Sequence, residues 1–268
     1  MLPLIGKYQS DIEGYWHGYL KAARKKISDK FDVRLNEVKD ITPGIKQILD
    51  LLGKAYLQEV GVPLAADNIE AIYKHGILFG VKALKSAGVS DIPKTMLPED
   101  WRAVDWLETR NLTALEGITD DINRAIVHEV SEGMLNGETV SQIADRLEQI
   151  AGLAEGRAYR IAHYESMLAS NQGTILRYYQ MGVQKVEWIA CGDDHVCPEC
   201  DDLDGKIFDI NTVPPCPLHV GCRCTVAPVV GKDYEPEFRL KLKQKGFETF
   251  LDLIHHNIMI VRPELSHA

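Results

Sequence analysis

All six cysteines of this 268-residue chain lie between Cys191 and Cys224. They fall in "CGDDHVCPEC" and "CPLHVGCRC", with Pro214, Pro215 and Pro217 bracketing the middle of the segment. That clustering constrains the fold more than any other feature, because a stretch of roughly forty residues is too small to bury a core of its own. Something besides apolar packing has to hold it, and thiols at such spacings offer a metal site or cross-links. The rest of the chain has no such need. With 45% apolar and 26% charged residues it is long enough to bury a core without covalent staples.

Tetrahedral zinc takes four nitrogen or sulfur ligands, and Cys-x2-Cys on a tight turn presents two thiolates about 2.3 Å from one ion. Cys197 and Cys200 have that spacing, with Pro198 stiffening the turn. A second pair has to come from elsewhere, and "HVGCRC" offers His219, Cys222 and Cys224. If Cys222 to Cys224 is extended, both thiols point to one side and Arg223 to the other. The expected ligands are Cys197, Cys200, His219 and one of Cys222 or Cys224; an all-thiolate version without His219 stays open. Four protein ligands leave no position for water or substrate, so the ion is expected to be structural and to supply folding energy. Disulfides, a redox couple and simple burial of reduced thiols compete with this reading. Redox is the weakest, because the strand and helix alternation of a thioredoxin-like unit is missing around Cys197. Cys191 and Cys216 are expected outside the ligand set, free cysteine often being a small buried hydrophobe. Asp193, Asp194, Asp201, Asp202 and Asp204 do not follow an EF-hand spacing and read as solvated surface.

The chain meets Asp11 and Glu13 before a signal-peptide core forms, and no apolar run approaches the roughly 20 residues that span a bilayer. It is read as kept in a cytoplasm with no membrane partner, where reduced thiols tilt a cysteine cluster toward metal. A net charge of −9 argues against charge-driven wrapping of nucleic acid as its sole task.

Upstream of the cysteines the periodicity is helical. Ile45, Ile48, Leu52, Tyr56 and Val60 form one apolar stripe, opened by Thr42 and Pro43 as cap and first helical residue. Ile69, Ile72, Leu78, Val81 and Leu84 form another, ending at Gly88. The loop "VSDIPKTMLPEDW" follows. A third stripe runs through Ile118, Ile122, Ile126, Val130 and Met134 and stops at "NGE". Thr139 and Gln142 then form a capping box for a helix whose face is Val140, Ile143, Leu147 and Ile150. Gly152 is expected to break that helix, and a longer one to run to Gly182. "VQKVEWIACG" and "CRCTVAPVV" read as short strands flanking the cysteines. The fold class expected is mainly α, a helical N-terminal bundle with a small α+β C-terminal module of short strands around the Cys/His site. The expected divisions are a helical region over 1–110, a domain over 111–231 with its Cys/His module at 191–224, and a helical extension over 232–268.

Four segments in order, "RIAHYESMLASNQG", "GVQKVEWIA", "DDHVCPECDDLDGKIF" and "PLHVGCRCTVAPVV", resemble the minor head, or head-morphogenesis, proteins of tailed phages, the group that includes the F protein of phage Mu. Arg160, Glu165 and Asn171, Trp188, Asp194, Cys197, Cys200, Leu203, Asp204 and Gly205, and His219, Cys222, Arg223 and Cys224 match the family pattern. His163 and Tyr164, and Val220 and Gly221, depart from it. The likeness covers about residues 157–230. It makes 111–231 a Mu F-like domain and implies a virion protein at the portal vertex, in the capsid interior, that passes through the host cytoplasm during assembly. Its implied partners are the portal protein, with the major capsid or scaffolding protein and DNA as further candidates; its implied work is procapsid assembly and the packaging or delivery of DNA.

Two other classes compete. A zinc-containing nuclease would need a histidine base and a second metal held by carboxylate or histidine, for which His195 with Asp193 and Asp194 is the tight candidate. Arg160 and Glu165 are about 140° apart around a helix and need not share a face. An adaptor without DNA contact is the third class. Arg239, Lys241, Lys243 and Lys245 make the tail locally basic, and by default they read, like His255 and His256, as a solvated helix face.

Overall fold

The computed structural model describes residues 1–31, 42–136, 138 and 140–231. The helical extension over 232–268, with its basic residues and His255 and His256, and the Thr139 capping box lie outside the described residues. So do the side chains of Thr42, Ile118, Met134 and Val140.

Helices α1 (Leu2–Phe31), α2 (Thr42–Tyr56), α3 (Val62–Ser86), α4 (Pro98–Leu135) and α5 (Val140–Gln180) precede the cysteines, and α2 passes into α3 through a π-helical turn at Leu57–Gly61. Strand β1 (Lys185–Ile189), the short helix α6 (Pro198–Leu203), β2 (Ile207–Asp209) and β3 (Thr225–Val229) follow. The architecture is mainly α with a small antiparallel sheet, as the sequence predicts. No helix among the described residues is long and apolar enough to cross a membrane.

By contact the chain forms two compact units, each drawn from separated stretches. One comprises Ile5–Asp67 and Glu108–Ala162; the other takes Met1–Leu4, Asn68–Leu107 and the chain from His163. The boundary expected at residue 110 falls within α4.

The first unit is built on aromatics. Tyr8, Ile12, Tyr15, Trp16 and Tyr19 recur at helical spacing along α1 and are all buried. Ile45 and Leu49 of α2 and Leu115, Ile122, Ile126 and Val130 of α4 are buried with them. The rings of Tyr15 and Trp16 meet edge to face at 4.5 Å, and Tyr56 lies 5.0 Å from Tyr15. Each α1 phenol finds a polar partner on α4: Asn111 donates to the Tyr8 oxygen, and the Tyr15 hydroxyl is 3.5 Å from that of Thr119. The Tyr19 hydroxyl donates to Asn123 Oδ1 at 2.5 Å. Two expectations shift. Leu49 rather than Ile48 or Leu52 is the fully buried α2 residue after Ile45. Gly152 does not break a helix, since α5 runs unbroken through it. One interior glycine costs only about 1 kcal/mol against alanine, which the surrounding turns absorb.

The second unit is built on the part of α5 from His163 onward. Every residue from Ala162 to Val183 is buried, including polar His163, Glu165, Ser166, Asn171, Gln172 and Thr174. Against it lies the α3 face of Ile69, Ile72, Tyr73, Ile77, Val81 and Leu84; Leu78, placed on that stripe from sequence, is 53% exposed, and Ile77 takes its position. The backbones touch. A Cβ on Gly76 would collide with the Ser170 carbonyl, and one on Gly173 would stand 2.5 Å from the Tyr73 carbonyl oxygen. Thr174 Oγ1 donates to the Gly76 carbonyl across this contact at 2.9 Å.

Arg177, fully buried on α5, pins the 87–97 loop. It donates to the carbonyls of Pro93 and Thr95 and pairs with buried Asp100 at 3.1 Å. Asp100 in turn accepts from the Tyr73 hydroxyl (2.9 Å) and from the Leu97 N–H (2.7 Å), which caps α4 from its third helical position. Burial pushes the Asp100 carboxyl up, while the Leu97 N–H and the Arg177 charge pull it down.

The sheet has the order β2-β1-β3, antiparallel throughout, with Glu187 opposite Ile207 and Trp188 opposite Val226. Val186, Trp188 and Val226 point inward and are buried. The Tyr178 hydroxyl reaches the Val226 carbonyl at 3.4 Å and joins α5 to β3. The sequence reading anticipates β1 and β3 but not the three-residue β2, which is too short for a periodicity to register.

Candidate metal centre

Three fastenings hold the Cys/His segment in place. At the end of β1, the Ala190 N–H donates to Asp204 Oδ1 (2.7 Å), and Gly205, at a φ of 71°, donates its N–H to the Trp188 carbonyl (2.9 Å). The Asp204-Gly205 step therefore turns the chain from α6 into β2, a bend that favours glycine. On the second side, Arg223 forms a two-pronged pair with Asp193, at 2.5 and 2.6 Å. The guanidinium holds the Asp193 carboxyl well below the usual carboxylate range, and the His195 N–H adds to this. The third fastening is Asn171 of α5. Its Nδ2 donates to the Cys224 carbonyl (3.0 Å) and to Cys216 Sγ (3.2 Å), and its Oδ1 accepts from Thr225 Oγ1 (2.9 Å).

These fastenings converge on the thiols. Cys197 is the N-cap of α6 with Pro198 at the first helical position, and its sulfur accepts the Cys200 N–H at 3.4 Å. His219 Nε2 stands 3.0 Å from Cys197 Sγ and 3.2 Å from Cys200 Sγ. Its Nδ1 lies 2.8 Å from the Val220 carbonyl. A carbonyl only accepts, so Nδ1 carries the proton, and the Nε2 lone pair faces the two thiols, the tautomer a metal-ligating histidine needs. Cys200 Sγ is 3.7 Å from Cys222 Sγ.

The donors gather as two triads that share Cys200. Cys197, Cys200 and His219 form one, Cys200, Cys222 and Cys224 the other, and within each all ligand atoms lie within 4.8 Å. Cys200, Cys222 and Cys224 are buried and Cys197 is half-buried. No two of the six cysteines are joined as a disulfide.

The electrostatics suit a cation. Burial, then the neighbouring thiols of Cys224 and Cys197, push the Cys200 thiol far up. Burial and the adjacent Cys222 raise Cys224 to about 11. Cys197 is the exception: burial raises it, but the Cys200 N–H and His219 outweigh that and bring it below an ordinary thiol. Three buried sulfurs so close repel as thiolates, and a divalent cation among them reverses that logic by deprotonating its ligands. Two thiolates, one correctly tautomerised imidazole and a further thiolate within reach fit the N and S donor set that zinc prefers.

The structure thus brings together all five residues singled out from the sequence, Cys197, Cys200, His219, Cys222 and Cys224. Burial alternates across Cys222, Arg223 and Cys224 as an extended segment requires. Cys191 is exposed, its thiol 3.7 Å from Asp193, and Cys216 is buried and donates to the Cys224 carbonyl. The other acids of the segment are exposed, as expected. Arg160 is exposed and Glu165 buried. The Asn171 clamp and the Asp204 cap carry no signal in spacing or periodicity; among the sequence readings only the family pattern marks those residues.

A small sheet backed on one long helix thus carries a knot of Cys and His residues whose donor atoms point at one another. Residues 124–227 match the model of the family described as phage Mu protein F like protein, so the phage head-morphogenesis family recognised from the motifs is the one whose model fits. The match starts upstream of the motif region, within α4, takes in α5, β1 and β2, and ends within β3. No match to the chain was found among curated proteins or among solved structures.

Proposed function

We propose that this chain is a structural minor head protein of a tailed phage or prophage, associated with the portal vertex and acting in procapsid assembly and in packaging or delivery of DNA. The observation that carries this reading is the family match over residues 124–227. The site supports it. Its donors face one another, and four protein ligands would leave an ion no open position for substrate. The ion proposed is zinc, held by Cys197, Cys200 and His219 with Cys222 or Cys224, and its part is to fold the segment from Cys191 to Cys224. The proposed location is the virion interior at the portal vertex, after assembly in the host cytoplasm. The proposed partners are the portal protein, the major capsid or scaffolding protein, and DNA.

The nuclease alternative is the less supported reading among the described residues. Its candidate base, His195, is exposed, and the neighbouring Asp193 is committed to Arg223.

Quantitative mass spectrometry of virions from the encoding phage tests the proposal, and the expected result is a few copies per particle and co-purification with co-expressed portal. Absence from DNA-filled heads, combined with metal-dependent cutting of DNA by the purified chain, would replace it with the nuclease.

A further inference from the structure

Two turns face each other across the site. In the first, from Cys197 to Cys200, the last residue's N–H bonds to the first residue's sulfur at 3.4 Å. In the second, from His219 to Cys222, the Cys222 N–H donates to the His219 carbonyl at 3.1 Å, and Gly221 adopts a φ of 79° to close the turn. Each turn carries a donor at its first and last position, the spacing that presents two side chains to one ion. The sulfurs of the two last residues, Cys200 and Cys222, are 3.7 Å apart. Two thiolates each about 2.3 Å from a tetrahedral zinc are separated by about 3.8 Å.

Cys224 is tied elsewhere. Its carbonyl accepts from Asn171 of α5 and from the Cys216 thiol, at 3.0 and 3.1 Å. The next residue, Thr225, opens β3 opposite Ile189 and bonds Asn171 in its own right. The Cys224 thiol, though within 4.8 Å of those of Cys200 and Cys222, also lies beside the buried indole N–H of Trp188. The backbone of Cys224 is thus tied to α5 and leads directly into β3. The backbone bond of Cys222, by contrast, lies within the turn that carries His219.

We infer that Cys222 completes the coordination shell and that Cys224 stands outside it, as the residue that anchors the shell to α5; this rests on reading the site as a metal centre. The shell is then three thiolates and one imidazole, drawn from two matched turns.

The test uses the full chain with Cys222→Ser and Cys224→Ser, reading zinc per chain, zinc affinity by chelator competition, and the thiolate-to-metal charge-transfer absorption of the cobalt(II) form. Cys224→Ser is expected to keep one metal per chain and the wild-type charge-transfer intensity, with affinity falling less than roughly 100-fold, the range of changes beside a shell. Cys222→Ser is expected to lose more than that. If Cys222→Ser does not fold, Cys222→His supplies a replacement donor: it should bind cobalt with about two thirds of the wild-type charge-transfer intensity, two thiolates in place of three. Loss of intensity or of metal in Cys224→Ser, or undiminished affinity in Cys222→Ser, overturns the assignment while leaving a metal centre standing. A wild-type chain that binds neither zinc nor cobalt overturns the metal reading itself, and this inference with it.

Discussion

The aromatic unit and the Cys/His module solve the same problem by opposite means. Around Tyr8, Tyr15, Trp16 and Tyr19 the chain buries large rings against aliphatic side chains, and each of the three phenols is matched to a partner on α4. Between Cys191 and Cys224 there is little to bury. The segment is held by Asn171, Arg223 with Asp193, the Asp204 cap and donors that converge on Cys200. Stability in the first region is spread over many contacts, so no single loss removes it. In the second it is concentrated in a few bonds and, by the proposal, one ion. Long amphipathic helices can afford the first solution; a loop-rich segment needs the second.

Removing the ion separates the two regions most sharply. Chelation, or the double change Cys197→Ala and Cys200→Ala, removes a binding energy on the order of 10 kcal/mol in comparable zinc-folded segments. Hydrogen exchange should show peptides across 190–224 losing protection while peptides across 8–20 keep theirs. Equal loss in both would mean that the contrast is false. Acidification from about pH 7.5 to 5.5 should act in the same direction on the module alone, because its ligands must be deprotonated to bind.

Trp16→Ala aims at the other region and should cost about 3–5 kcal/mol in a denaturant melt, with metal content unchanged. A change in metal per chain would show that the module depends on the aromatic core after all.

Alkali offers a gentler contrast. Burial raises the Tyr15 phenol from 10.0 to about 12, so above pH 10 the unfolded chain releases a proton that the folded chain retains. The sign is therefore destabilising as pH rises, by about 2–3 kcal/mol once pH reaches 12. Tyr15→Phe should flatten the tyrosine part of that loss in an equilibrium melt across the same pH range.

Asn171→Ala removes three hydrogen bonds from a buried clamp and leaves the Cys224 carbonyl short of a partner, at about 1–3 kcal/mol. It should leave one metal per chain, because Asn171 touches no proposed ligand atom. The smallest effect is expected from Asp193→Asn. That pair is solvent-exposed, and any shift in the thermal midpoint should vanish in high salt. A large, salt-independent loss would promote the pair from fastening to keystone.

Much of this is legible in one dimension. Helical stripes place α2, α3 and α4, the glycines at 88 and 182 end α3 and α5 at positive φ, and Cys and His spacing selects the five donors. The misreadings are those where a neighbour decides. Leu78 has the right spacing to be buried, but the face of α3 that meets α5 is set by where Gly76 and Gly173 let the backbones close, and that face includes Ile77. Arg177 and Asp100 are ordinary surface residues by composition. Only the fold shows them fully buried and paired.

The residue pattern by itself determines the mainly helical class, the position of the Cys/His module, its candidate ligands and the family motifs, because periodicity, glycine stops and ligand spacing are local properties of the chain. The tertiary structure alone decides which faces touch, that the chain is buried without interruption from Ala162 through the end of α5 to Val183, and that Asn171 grips the segment carrying Cys224. It also decides that His219 Nε2 faces two thiols. Those facts depend on residues brought together from separated stretches of the sequence, and no spacing along a chain encodes a contact whose geometry is set by the packing of whole helices.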